Sequence, residues 1–532
     1  MTSSSHTQDY IRRLSEELRL EVCELLPIPA LKNLGLANKQ WRKSSSSVLW
    51  KSLESSLVAN DRNFDALILS LPDGLFDNVK NLKIRTLPDN FKNVMQVVSG
   101  ITRDTLRTVE LVGVQTEVWE SLLCSQHSIE ELTFRQNSYI QLSQRFPNPR
   151  SLAHSLKKLR KLKIASRRND NDYSAWLVNT PALEVLSLGS GWGRDSRDAT
   201  AVPLDIRTPA VGFVPLRLRR LSLFQLILLD GVNRLGDIIH LPSLKTLDII
   251  HCDRVPVLLR YLTSKYTISS ESALKSFNLT QDPEDEEELV ESLNQFIGCF
   301  SGLETLFVAT RDPQHVDVHK VCRHGQTLRF LHLDPLYRRM DLTLFNNRGY
   351  YSAGELEILT AGCPYIEELG IHAAAIDLSV IDLSLKFSKF NGRDLPRALD
   401  VLARLRSLRS LRLTHLLTVN DNNEVGDSNS NAWHHSKLAS KVMQYLVERG
   451  SSIEVFAISP TATQYSDSAE QNFHGHTWPN YYYVRGTVTI PLRHRHLTQA
   501  QAIPVTEKNI TDYVKYPSLL FRSEEKDFKA YA

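Results

Sequence analysis

Long apolar runs are missing from this chain of 532 residues. Nothing in it approaches the ~20 apolar residues that a membrane-spanning helix needs, so no bilayer crossing is expected. Cysteine is sparse, with six residues at 23, 124, 252, 299, 322 and 363, no two of them at a metal-ligating or redox-motif spacing. That excludes a disulfide-dense secreted scaffold and predicts reduced thiols. A dominant charge sign is also lacking. The 63 Lys and Arg against 60 Asp and Glu leave a formal +3, which offers no global basic field for nucleic acid. The polar segment Met1–Asp9 has no apolar core of a secretory signal. These absences point to a cytoplasmic or nuclear protein.

Catalytic signatures are absent as well. There is no phosphate-cradling Gly loop, no Gly-x-Ser-x-Gly elbow and no His-Glu-x-x-His. No catalytic residue, cofactor or metal site is therefore assigned, and the chain is not expected to be an enzyme. The pairs His474/His476 and His494/His496 have no nearby Cys or acid and read as surface histidines. The acidic run Asp282 to Glu288 reads as a solvated helix start.

What is present is a short phrase used thirteen times: apolar, two variable residues, apolar, one variable residue, apolar. It runs from Val79/Leu82/Ile84 to Ile453/Phe456/Ile458, at intervals of 23 to 45 residues. The closing alternation is that of a strand with one buried face. Recurrence at this period is the mark of a repeat array, each unit burying its apolar face against its neighbours. Between phrases lie helical patterns, such as Leu289, Leu293 and Phe296 within 284–297, and Glu355–Leu359 before Gly362-Cys363-Pro364. The phrase is similar to the start of the leucine-rich-repeat signature. The resemblance implies an α/β fold, a leucine-rich-repeat solenoid shaped as a horseshoe, with parallel strands inside and helices outside. It is placed at residues 79–460, with insertions near 189–215 and 418–435, the second read as disordered. Residues 461–532 are read as a terminal cap and tail, with strands on either side of Arg485-Gly486.

Upstream, residues 1–9 are read as a disordered tail and 10–55 as a small all-α module. Leu14, Leu18, Val22 and Leu25 fall on one helical face, started by Ser15 with Glu16 and Glu17 behind it. Leu26-Pro27-Ile28-Pro29 interrupts, a second helix carries Leu31, Leu34 and Trp41, and the run Ser44–Ser47 weakens it. Val48, Leu49, Trp50 and Leu53 form a third short helix or turn, and 56–78 a linking helix pair. The run Leu14-Ser15-Glu16-Glu17-Leu18, then Val22, Leu25-Leu26-Pro27, Leu31, Leu34, Leu36-Ala37-Asn38, Trp41 and Leu49-Trp50 resembles an F-box. Ser15 stands where that pattern has Pro. With the repeats behind it, the chain resembles the F-box/leucine-rich-repeat proteins of fungal type.

The resemblance implies a substrate-recognition subunit of an SCF-type cullin ubiquitin ligase. Leu14, Leu18, Val22, Leu25, Leu26, Pro27, Leu31, Leu34, Trp41, Leu49 and Trp50 would bind the small Skp-type adaptor, and through it a cullin scaffold. The variable strand positions, pointing opposite to the buried apolar ones, would bind an unknown target protein. Among them are Lys83, Arg85, Arg135, Lys163, Arg220, Asp248, Phe307, Phe330, His332, His372 and Arg412, with the two Phe side chains expected to be exposed. The basic unit from Lys157 to Arg168 offers an attachment for an acidic segment. The alternatives are a repeat scaffold with no ligase role, and a nucleic-acid-associated protein using that basic unit.

Overall fold

The computed structural model describes residues 14–37, 39–57, 75–86, 91–114, 116–136, 154–166, 173–190, 202–204, 206, 213–229, 231–268, 273–281, 288–310, 316–335, 351–372, 394–416, 428–460, 481–492, 495–510 and 513. The chain is α/β and its strands are mostly parallel. It divides into two compact units, Met1–Leu218 with Arg234–His240, and Arg219–Asn233 with Leu241–Ala532.

The first unit opens with helices α1 (Glu16–Glu24), α2 (Ile28–Ala37) and α3 (Lys39–Leu49). Six parallel strands follow in chain order: β1 (Ser52–Leu57), β2 (Asn81–Thr86), β3 (Thr108–Val112), β4 (Glu131–Gln136), β5 (Lys161–Ser166) and β6 (Val185–Gly189). The second unit continues in the same way with β7 (Arg220–Phe224), β8 (Thr246–Ile250), β9 (Ser276–Gln281), β10 (Thr305–Thr310), β11 (Phe330–Pro335), β12 (Glu368–His372), β13 (Ser410–Leu416) and β14 (Val455–Pro460). All thirteen phrases contribute a strand. Their second and third apolar residues align across neighbours, as Leu306 does with Leu331 and Val308 with Leu333, and these residues are buried. Helices cover that face. Leu289, Leu293 and Phe296 are buried on helix Leu289–Gly298, and helix Ala353–Gly362 starts with a capping box between Ser352 and Glu355.

Polar side chains tie one repeat to the last through the backbone of the phrase's first residue. Gln126 accepts from Leu106 N (3.1 Å) and donates to Thr102 O (2.9 Å). In the second unit His324 Nδ1 accepts from Leu303 N (3.2 Å), and its Nε2 lies 3.1 Å from Ile297 O. Both side chains are buried, so each covers a backbone group that would otherwise lack a partner in the core.

Several expectations are corrected. The array begins one phrase early, because residues 52–57 form β1, with Leu53 opposite Leu82. Leu53 is therefore not part of a third helix. Instead α3 takes up Trp41 and runs through the serines, where Ser44 and Ser45 are buried. A Cβ on Gly35 would lie 2.7 Å from Ser45 Oγ, so small residues at this crossing let α2 and α3 close up. Of the expected linking helices, residues 58–74 lie outside the described residues and Leu75–Asn78 is a single 3-10 turn. Leu204 and Ile206, inside the expected insertion at 189–215, are buried.

The expected disordered stretch 418–435 is helical from 428 onward, in helix Ser428–Glu448. Leu438, Ala439, Val442, Met443 and Leu446 are buried there, and a packed helix extends back through polar residues one hydrogen bond at a time. At the far end, Arg485-Gly486 is not a turn. Tyr481–Leu492 is one continuous strand, β15, antiparallel to both β14 and β16 (Arg495–Val505). The expectations for residues 1–9, 461–480 and 514–532 lie outside the described residues. Among the described residues no helix is long and apolar enough to cross a membrane.

Candidate docking surfaces

In the helical module the apolar residues separate into two sets. Ser15 caps α1, its Oγ accepting from Leu18 N at 3.3 Å. Cys23, Leu31 and Trp41 are buried together, with Leu14, Leu26, Leu34, Val48 and Leu49 packed around them. Ion pairs Lys43–Glu16 and Lys51–Glu24, each 2.9 Å, hold α1 against the α3 side. The Lys51 ammonium keeps the Glu24 carboxyl below its ordinary value, first by hydrogen bonding and then by charge. The second set is uncovered. Leu25 is 85% exposed, Leu36 76%, Ile28 62%, Leu18 48% and Val22 39%.

This division corrects the expected adaptor set. Leu31 and Trp41 build the module and are not on its surface. Leu14, Leu26, Leu34 and Leu49 are partly buried beside them, Trp50 is half-buried in the turn after α3, and Pro27 is exposed. The structure adds Ile28 and Leu36, which the sequence reading left out. Their signal was that α2 is apolar around most of its circumference, so one side had to remain uncovered.

The variable strand positions form rows across each sheet. In the first unit Glu54, Lys83, Glu110, Thr133, Lys163 and Ser187 are in register. Lys83 pairs with Glu54 at 2.7 Å, and Lys163 is half-buried. The side chains of Arg85, Arg135, Arg167 and Arg168 lie outside the described residues. Lys157, Lys158 and Arg160 are exposed, and Lys161 is paired with Glu131.

In the second unit the corresponding row runs Ser222, Asp248, Asn278, Phe307, His332, Gly370, Arg412 and Ala457. Here the expectation of exposed contact residues is corrected. Asp248 is 5% exposed and accepts from Arg220 Nε (2.9 Å) and Ser222 Oγ (2.7 Å). Phe307, Phe330, His332, His372 and Arg412 are all buried. Parallel strands in register stand roughly 4.8 Å apart, so broad side chains on one row stack face to face and cover one another. Phe307 and His332 do so at 4.6 Å with 6° between planes. The imidazole lies over Gly370, where an added Cβ would meet Nδ1 at 1.9 Å. Further along, Ile510 of the short helix Glu507–Ile510 packs into Val455, Ala457, Tyr482 and Val484. The chain's own later segment thus covers part of this face.

A further regularity marks the strand starts. The second residue of every phrase is charged: Lys80, Arg107, Glu130, Arg160, Glu184, Arg219, Lys245, Lys275, Glu304, Arg329, Glu367, Arg409 and Glu454. Each sits where a strand starts, and carbonyls here accept two N–H groups of the next repeat, as Lys275 O does from Glu304 N (2.8 Å) and Thr305 N (3.0 Å). The side chains are exposed or half-buried and pair across neighbours, Arg107–Glu130 at 3.4 Å, Lys275–Glu304 at 3.5 Å and Arg409–Glu454 at 3.4 Å. Among the described residues no three His, Cys, Asp or Glu side chains come together as metal ligands would. His474, His476 and His494 lie outside them. Compared with known proteins, the chain matches no family model and no curated sequence.

Proposed function

We propose that the chain is the target-recognition subunit of an SCF-type cullin ubiquitin ligase, working without catalytic groups of its own. The observation that carries the reading is the exposure of five large apolar side chains, Leu18, Val22, Leu25, Ile28 and Leu36, in the stretch that resembles an F-box. Large apolar side chains are each worth about 1.5–3 kcal/mol when fully buried, so five left uncovered in one small module mark a place for a partner. The resemblance makes that partner the Skp-type adaptor, and through it the cullin. The repeats, read as a leucine-rich-repeat horseshoe, would hold the target. Transfer is then a matter of proximity: a held target lysine meets the charged conjugating enzyme at a raised effective concentration. The stacked, buried rows of the second unit leave its charged strand-start edge, and the part-exposed row from Glu54 to Lys163, as the target-facing parts. Such a subunit would work in the cytoplasm or nucleus.

The test is co-purification of the full chain with a Skp-type adaptor, beside a Leu25→Asp, Leu36→Asp double variant. Both substitutions fall on exposed positions, so the variant should fold and lose the adaptor. If the folded native chain retains no adaptor, the three helices are a structural start to the array and the ligase reading falls.

A further inference from the structure

The six cysteines look scattered in the sequence, yet two of them meet in the fold. Cys322 opens a 3-10 turn that continues helix Val318–Val321, and Cys363 ends helix Ala353–Gly362 in the next repeat. Two glycines allow the approach. A Cβ on Gly325 would lie 1.7 Å from the Gly362 carbonyl oxygen, and a Cβ on Gly362 would lie 2.3 Å from Cys322 Sγ. Each sulfur therefore reaches the other's segment. Cys322 Sγ lies 3.5 Å from Ile358 O, and Cys363 Sγ 4.0 Å from Val321 O. The two thiols are close enough for each to shift the other's titration. Both cysteines are free, Cys363 buried and Cys322 half-buried.

We propose that Cys322 and Cys363 are a reactive dithiol that closes to an intramolecular disulfide when it meets a small-molecule disulfide, stapling two successive repeats. The asymmetry sets the order of events. Cys322 is the less buried of the two, and the neighbouring Cys363 holds its thiol below the ordinary value, while Cys322 and burial push Cys363 up. The Cys322 thiolate attacks one sulfur of the small disulfide; that S–S bond breaks and one small thiol leaves. The Cys363 sulfur then attacks Cys322 Sγ, giving up its proton, and the second small thiol leaves. Two protein thiols are oxidised and one small disulfide is reduced to two thiols. The staple would tie the turn leading into β11 to the one leading into β12.

The experiment treats the full chain with oxidised glutathione, alkylates remaining thiols and maps peptides without reduction. The expected result is a 322–363 cross-link, two hydrogens lighter than the paired thiols. Cys363→Ser should stop at a glutathione adduct on Cys322, Cys322→Ser should leave Cys363 a free thiol, and Cys124→Ser should keep the cross-link. Phenylarsine oxide, which bridges paired thiols, should bind as one equivalent to the native chain and to Cys124→Ser, and be lost in either of the other variants. Circular dichroism confirms that each variant is folded. A folded native chain whose exposed Cys124 takes up glutathione while 322 and 363 stay free overturns the proposal. So does Cys363 reacting when Cys322 is absent.

Discussion

His324 makes the second unit sensitive to acid, and the size of the effect can be worked out. Its Nδ1 accepts from Leu303 N and its Nε2 faces Ile297 O, so the neutral ring donates through Nε2 and has no place for a second proton without losing the Leu303 bond. Burial is the first cause that lowers its pKa from 6.5 to about 4. The sign follows from which state takes the proton first. Above 6.5 the ring is neutral folded and unfolded. As the pH falls, the unfolded chain is protonated first, so stability drains away between 6.5 and 4 and the loss levels off below. The difference of 2.5 units amounts to about 3 kcal/mol in full. Going from pH 7 to pH 5 should remove about 2 kcal/mol of it. The assay is the urea midpoint of the second unit at both pH values, for the native chain and for His324→Gln. Gln is the natural comparison because Gln126 makes the same pair of bonds in the first unit. The variant should lose much of the pH dependence. An identical midpoint shift in both chains would refute the reasoning.

Other outcomes follow from the same contacts. Leu31→Ala should destabilise the helical module by about 2–5 kcal/mol, whereas Leu25→Ala should change it by no more than about 0.5 kcal/mol, read by hydrogen exchange across residues 16–49. If the adaptor binds, Leu25→Ala alone should weaken it by roughly ten-fold or more, measured by calorimetry. Gly370→Ala puts a Cβ where His332 Nδ1 lies; unseating the ring from Phe307 should cost about 1–3 kcal/mol in denaturant titration. Glu454→Gln breaks an exposed pair with Arg409 and should cost under about 1 kcal/mol, since solvent screens such pairs.

The strands were legible because their signal is local: two apolar residues straddling a variable one reports a half-buried strand wherever it stands. β1 was passed over since Ser55 fills the place that Ile84 holds in the next repeat, so the phrase is broken although the backbone ladder is not. The rows across the strands were legible only in part. That Phe307 is covered depends on His332 standing opposite it, and that His332 fits depends on Gly370 having no side chain. Such facts couple residues one or two repeats apart and have no period within a single phrase. The uncovered face of the module is of the same kind. Leu25 and Leu31 look alike in the sequence, and only the way α3 lies across α1 and α2 decides which of them is buried. The thiol pair likewise depends on two glycines, in different repeats, that let the two segments close up.

The reversed direction of β15 bears on how such an array could lengthen. Parallel ladders carry evenly spaced, slanted hydrogen bonds, and antiparallel ladders carry bonds in alternating narrow and wide pairs. Once β15 has run backward along Val455–Ile458, and β16 along β15, the regular step stops: Arg409 O still accepts from both Glu454 N and Val455 N, whereas Glu454 O accepts from Arg485 N of the reversed strand (2.8 Å). The hairpin acts as a full stop. Inside the run, by contrast, neighbours share a register, so a repeat duplicated or deleted there leaves the parallel ladder continuous.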